Sequence, residues 1–265
     1  MPRNKTTLKD AWVNWCLQLC CTPEYQIVGT RKLVRNQELI LTGEQILDNS
    51  LQLTDVTYAE GPAKLRLLRK FYLNEESMSR AKARMDECVE KNKHDSASFI
   101  LQNETKKGFT TQDWCMLGGV VTYWPKRKGV EAHFTIEVYY RITEAAKKFV
   151  GDLIFFRDVL WQELDLYRLP VHTVTLRMSN VNISKSFSAI PLAHAQKPIA
   201  FLKQVKEHDP MQFKWLVKWT LRLYYGEGTA VNFRQLERVQ ERLEIPEEKA
   251  KRLYKYLKKE EQHLE

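Results

Sequence analysis

Cys115 leads into a glycine pair, Cys-Met-Leu-Gly118-Gly119, and the run after it, Met116–Trp124, alternates as a strand. A second alternating run, Val130–Arg141, returns through Phe134-Thr-Ile-Glu-Val-Tyr-Tyr140 and delivers Arg141. Thr143 and Glu144 follow, and Asp152 comes eleven residues after Arg141. A thiol is nucleophilic as the thiolate, and a neighbouring guanidinium favours that form. The same guanidinium can hold a phosphate by paired hydrogen bonds. A carboxyl at 152 can accept from, or donate to, the edge of a base. Each residue also has a plainer reading. Cys115 could be a buried strand cysteine. Arg141 could pair with Glu137 or Glu144. Asp152 could cap the helix that follows it.

The elements that must position these groups alternate in type. Residues 8–21 read as an amphipathic helix with Leu8, Trp12, Trp15 and Leu19 on one side. Short strand pieces are predicted at Tyr25–Val28, Lys32–Val34, Glu38–Leu41 and Leu51–Thr54. Helices follow at Ala63–Leu73 and Ser77–Lys91, the second capped by Asn74 or Ser77. Ser98–Gln102 reads as a strand. Pro125-Lys-Arg-Lys-Gly129 is a basic hairpin loop, either a solvated turn or a contact for a phosphate backbone. Gly151–Asp165 is a strongly apolar helix, and Val171–Ile183 a long strand. From residue 198 onward the pattern is helical only: Lys214–Tyr225, then a pair, Phe233–Leu243 and Pro246–Lys259, of helix-turn-helix proportions with a basic last helix.

The bulk numbers fit a globular protein with an ordinary core: 265 residues, 43% hydrophobic and 28% charged. A formal net charge of +9 favours anionic partners. No apolar run approaches the ~18 residues of a membrane helix, so a cytoplasmic chain without membrane contact is expected. Five cysteines without a CxxC pair argue for a reducing compartment and against a disulfide scaffold. Cys16, Cys20 and Cys21 read as a buried helix face beside Trp12 and Trp15, with metal ligation as the rival. His133, His172 and His194 have no ligand-like spacing, and no metal site is expected.

The order and spacing around Cys115 resemble the thymidylate synthase and pyrimidine hydroxymethylase family. Members carry a nucleophilic Cys at a strand start and, a hairpin later, a Tyr-x-Arg-Ser-x-Asp stretch. An Asn follows eleven residues beyond that Arg, at the start of an apolar helix. Here Tyr139-Tyr140-Arg141-Ile142-Thr143-Glu144 stands in the Arg stretch and Asp152 in the Asn position. His94-Asp-Ser-Ala-Ser-Phe-Ile100 is similar to the upstream Asp-x-Ser-Arg-Arg strand, and Val181-Asn182-Ile183-Ser184 falls where the family has His-x-Tyr. The helix Ala63–Leu73 is similar to the one that bears the catalytic Glu. The resemblance spans roughly residues 25–190.

It implies a thymidylate synthase-like α/β (α+β) fold, a mixed sheet with flanking helices in residues 1–197, followed by a helical extension over 198–265. It implies one-carbon transfer to C5 of a pyrimidine nucleotide. Cys115 is the nucleophile, and Arg141, Asp152, Asn182 and Glu144 are substrate-binding. The donor is 5,10-methylenetetrahydrofolate, and the assembly is a homodimer or a heterodimer with a related subunit. Asp at 152 complements the N4 donor and N3 acceptor of cytosine better than an amide does. The departures matter equally. The general-base Glu falls near Arg66. The paired arginines become Ala97 and Ser98. The His and Tyr become Asn182 and Ser184. Three readings stand: an enzyme acting on something other than a free 5′-monophosphate, one half of a heterodimer, or a non-catalytic or nucleic-acid-binding protein that keeps the fold.

Overall fold

A computed structural model describes residues 6–53, 66, 68–70, 72–101, 115–185, 188–226 and 247–264. Helix α1 (Leu8–Cys21) opens with a capping box between Thr7 and Asp10. Its apolar stripe buries Leu8, Trp12, Trp15, Cys16, Leu19 and Cys20, so the three-cysteine segment is mostly a packed helix face. Burial pushes the Cys20 thiol up to about 12.

Strand β1 (Gln26–Val28) turns back into β2 (Arg31–Leu41), an eleven-residue strand where two pieces were predicted. Between those pieces Asn36 adopts φ 51° and stays out of the ladder, while Arg35–Asn180 and Gln37–Met178 keep one register on either side. Helix α2 (Gly43–Ile46) is a single capped turn. Leu51–Leu53 forms no strand, contrary to the alternation in the sequence, and Thr54 lies outside the described residues. So does most of the predicted Ala63–Leu73 helix; within it, Arg66, Leu68–Lys70 and Tyr72 are helical.

Helix α3 (Glu75–Glu90) is capped by Asn74, whose side chain accepts from the Ser77 amide. β3 (Asp95–Ile100) begins three residues before the predicted start. β4 (Met116–Trp124) and β5 (His133–Glu144) form the expected hairpin, although Val130 belongs to its turn, not to the strand. Gly118 and Gly119 are glycine for want of room. A Cβ on Gly118 would lie 2.3 Å from the Phe99 carbonyl oxygen, and one on Gly119 would lie 2.3 Å from that of Glu137.

Helix α4 (Lys148–Phe155) starts three residues before the predicted Gly151. It runs directly into a π-helical segment, Phe156–Leu160, and a last turn, Trp161–Glu163. Asp152 therefore lies inside a helix and caps nothing, which corrects the capping alternative. β6 (Val171–Ser184) completes the sheet. Helices α5 (Ala189–His194), α6 (Pro198–His208), α7 (Pro210–Tyr225) and α8 (Glu247–Glu261) follow. Phe233–Leu243, the first half of the helix-turn-helix-like pair, lies outside the described residues.

The result is a mixed α/β architecture: a six-stranded open sheet of order β1-β2-β6-β5-β4-β3, with flanking helices and a C-terminal helix. β5 and β6 pair in parallel, whereas the other neighbours are antiparallel. One row across the sheet, Phe99–Val138–Leu176–Leu39, is buried. The next, Ser98–Val120–Glu137–Thr175–Ile40, is exposed or half-exposed. On that uncovered face Arg177 bridges Glu38 and Glu137, each at 3.0 Å.

The last helices share the core of the sheet through Phe201, Phe213, Leu216, Leu253 and Leu257. A buried ion pair ties them to it. Lys32 Nζ on β2 donates to Asp209 Oδ2 and to the Cys20 carbonyl, both at 2.8 Å, and lies over the Tyr25 ring. Asp209 also accepts from the Gln212 amide at the start of α7. Among the described residues no helix is long and apolar enough to cross a membrane.

Removing one member of a buried pair strands the other charge, at a cost of roughly 3–5 kcal/mol. Asp209→Ala should lower the urea midpoint accordingly, and the double variant Lys32→Met/Asp209→Leu should recover much of the loss. Equal midpoints for Asp209→Ala and the parent would show that the pair is dispensable.

Candidate nucleophile and anion site

Cys115 immediately precedes β4, and Arg141 lies near the end of β5. The Arg141 amide donates to the Cys115 carbonyl at 2.9 Å, which extends the hairpin ladder by one bond. The Cys115 amide donates to the Tyr72 hydroxyl at 3.2 Å. Two backbone bonds thus hold the thiol-bearing residue from opposite sides.

The parallel pairing of β5 with β6 sets the rest. Glu144 pairs with Asn182, which pairs with Leu33 of β2, and Ser184 pairs with Arg31. Cross-strand partners share a face, so one end of three strands gathers Arg31, Glu144, Asn182 and Ser184. The turn after β5 adds Lys147 and Lys148 at the start of α4. These residues, with Cys115, Arg141, Ile142 and Thr143, line a cavity of about 270 Å³. Four of the five site residues picked out in the sequence, Cys115, Arg141, Glu144 and Asn182, are therefore brought together. Asp152 is not on this wall. It is buried in α4, close enough to Cys115, Tyr72 and Tyr140 for its charge to act on all three.

The wall carries four cationic side chains, Arg31, Arg141, Lys147 and Lys148, against one carboxyl, Glu144. Such a cavity favours an anion. Arg31, Lys147, Lys148 and Ser184 were not singled out in the sequence. Arg31 is 84 residues from Cys115 along the chain, and only the strand register joins them. Lys147 and Lys148 would have followed from placing the helix start correctly.

Burial raises the Cys115 thiol above the ordinary range, and the Asp152 carboxylate pushes the same way. Lys148, Arg141 and the Tyr72 hydroxyl oppose the shift without reversing it. At neutral pH the resting residue is a thiol. Arg141 assists ionisation as expected but does not achieve it alone.

Glu144 is buried to 8% exposure, and its Oε1 accepts from the Ser184 amide at 3.2 Å. Oε2 has no hydrogen-bond partner among the described residues. Burial pushes the carboxyl up to about 7, against the pull of the amides of Ser184, Lys147, Lys148 and Ala146. Two contacts from α1 fix the residue after it. Trp12 Nε1 donates to the Ala145 carbonyl at 2.9 Å, and the Cys16 thiol lies 3.8 Å from the same oxygen. As for the rival readings of Arg141, Glu137 is engaged by Arg177 on the uncovered face. Among the described residues no group of histidine, cysteine or acidic side chains could hold a metal ion.

Two predictions follow from these charges. Alkylation of Cys115 by iodoacetamide, followed by peptide mass, should show a midpoint above that of a free cysteine. Asp152→Asn should lower that midpoint and Lys148→Ala should raise it; an unchanged midpoint in Asp152→Asn would remove the proposed coupling. For Glu144 the folded state holds its proton more tightly than the unfolded state does. Its contribution to stability is complete below the unfolded pKa near 4.5 and is lost as pH rises through about 7. Glu144→Gln should therefore abolish a decline worth roughly 3 kcal/mol across that window, as read by urea unfolding at several pH values. A decline of the same size in Glu144→Gln would assign it elsewhere. No protein-family model matches the chain, and no curated protein sequence does.

Proposed function

We propose that this chain is a divergent member of the thymidylate synthase and pyrimidine hydroxymethylase family, and that its cavity takes a pyrimidine nucleotide for one-carbon transfer to C5. One observation carries the reading. Cys115, Arg141, Glu144 and Asn182, matched to the family's motifs by residue order and spacing and lying within 68 residues, line a single cationic cavity. The mixed sheet with helices on one side is compatible with the same family, and its uncovered face gives a related subunit a surface on which to pair.

The chemistry assigned to the chain is nucleophilic activation. The Cys115 thiolate adds to C6 of the pyrimidine, forming the S–C6 bond. The C5–C6 π pair moves toward C4, and C5 becomes nucleophilic toward a one-carbon electrophile. Loss of the C5 proton and expulsion of the sulfur restore the ring. Arg141 and Arg31 bind the phosphate, and Asn182 and Ser184 offer hydrogen bonds to the sugar hydroxyls. Lys148 and Arg141 favour the thiolate. The base-reading role that the resemblance gives Asp152 requires the cavity to open toward α4, since the residue is buried behind the wall and does not line it.

The implied donor, methylenetetrahydrofolate, is less well provided for. The lining side chains include one aliphatic residue, Ile142, and no aromatic ring against which a pteridine could stack. About 270 Å³ is also below the ~300–1,000 Å³ typical of a site for one drug-sized ligand. The described residues do not fit a folate beside the nucleotide, and no step is drawn through it. Ala97 is buried and Ser98 exposed on the edge strand β3, where neither can supply a guanidinium.

A second reading, a non-catalytic subunit that completes an active paralogue, is favoured by the resting protonated thiol of Cys115. One experiment separates the two. The protein is incubated with 5-fluoro-dCMP or 5-fluoro-dUMP and methylenetetrahydrofolate, then weighed intact. The transferase reading expects a covalent adduct that Cys115→Ser abolishes, stronger with the cytosine nucleotide and shifted toward uracil by Asp152→Asn. Sedimentation of the same sample should give a dimer. No adduct with either nucleotide would leave the subunit reading standing.

A further inference from the structure

The end of the sheet away from Cys115 carries a feature that the cavity does not use. β4 ends there at Trp124 and β5 begins at His133, and the two residues pair across the ladder. Their rings are nearly parallel, 12° apart, with centroids 6.3 Å apart. His172 lies against the other side of His133, at 3.8 Å and 14°. A register shift brings it there: Phe134 pairs with Val171 but Thr135 with Thr173, so His172 is the extra residue of a bulge. His94, just before β3, packs on Trp124 at 4.4 Å. Four rings from four chain segments therefore form a row.

The row is held in place. Trp124 Nε1 donates to Thr135 Oγ1 at 3.0 Å, and the His133 ring shares a hydrogen bond with the Glu131 carbonyl at 2.9 Å. His94 and His172 are exposed, and Trp124 and His133 half-buried. Cations flank the row. Lys93 adjoins His94, and the hairpin loop exposes Lys126, Arg127 and Lys128. The nearby acids are occupied, Glu131 by Lys126 at 2.9 Å and Asp95 by Arg84. Among the described residues no acid pairs with Lys93, Arg127 or Lys128. Flat rings in series beside exposed cations that hold no ion pair match a chain in which bases alternate with phosphates. A duplex buries the faces of its bases, so an unpaired strand fits and a paired one does not.

We propose that this ridge binds single-stranded nucleic acid, with bases stacking on the exposed rings of His94 and His172 at the ends of the row, backed by Trp124 and His133, and phosphates meeting Lys93, Arg127 and Lys128. The surface is about 30 Å from Cys115, the length of β4 at ~3.3 Å per residue, and the proposal stands whether or not the cavity is catalytic.

The test is fluorescence anisotropy of the full chain with a labelled short oligothymidylate over a range of salt. Three phosphate contacts on a single strand give a log affinity against log salt slope of about −2. Arg127→Ala/Lys128→Ala should flatten the slope to about −0.7. His172→Ala and Trp124→Leu should weaken binding several-fold to tenfold with little change in slope. His172 is exposed, so its variant keeps the test valid if Trp124→Leu folds poorly. Three results would overturn the proposal: no binding at low salt, equal competition by a duplex of the same length, or loss of binding only in Lys251→Ala/Arg252→Ala/Lys255→Ala on α8.

Discussion

The parallel ladder between β5 and β6 is the constraint on which the candidate site depends. Parallel pairing sends both strands out of the sheet at the same edge. Arg141–Glu144 and Asn180–Ser184 are therefore neighbours, and α4, the crossover between the strands, begins beside them with Lys147 and Lys148. Had the strands paired antiparallel, Glu144 and Asn182 would stand at opposite ends of a twelve-residue strand, about 40 Å apart at ~3.3 Å per residue. A parallel pair needs a long crossover with an apolar face to cover the sheet. The buried run Phe149, Val150, Leu153, Ile154, Phe155 and Phe156 supplies it. A strongly hydrophobic helix and a cationic cavity thus have one topological origin.

Alternation along β2 supplies the remaining wall. Lys32 points into the core, where Asp209 and the Cys20 carbonyl hold it, and the residue before it, Arg31, points to the cavity. A slip of one residue would exchange the two, burying Arg31 against Asp209 and presenting Lys32 to the ligand. The ion pair therefore specifies register as well as joining the last helices to the sheet. Past Asn36, with its φ of 51°, the buried positions change from Lys32 and Val34 to Leu39 and Leu41, so the other half of β2 also faces the core.

Regular periodicity made α1, α3, β4, β6 and α7 legible in the sequence, because each has one face buried and one exposed. The misreadings have local causes. β2 looked like two pieces because Asn36 interrupts the alternation. α4 looked late because Lys147 gives no capping signal and Asp152 gives a false one. The carboxyl beside its first turn comes instead from Glu144, on the preceding strand. Cys115, Arg141, Glu144 and Asn182 could be found by matching one contiguous stretch of chain to the motif order of the family it resembles. Arg31 could not, since its relation to them exists only in the pairing of β2 with β6. The coupling of Asp152 to the thiol was likewise invisible, because it depends on depth in the fold and not on position in the chain.

The π-helical segment Phe156–Leu160 widens one turn of the helix without breaking it. Geometrically it is an α-helix that has absorbed one additional residue. Around it, Arg157 is buried and donates to the Leu51 carbonyl at 3.2 Å, and Trp161 packs edge-on against Phe156. Excising a single residue from the segment would restore ordinary winding and leave Trp161 and Leu164 facing the core, because the wide turn already absorbs the extra residue. Excising one from the α-helical turns on either side would instead rotate everything beyond it by about 100°. The wide turn is therefore the one place in this helix where a residue can be lost without turning Trp161 out of the core.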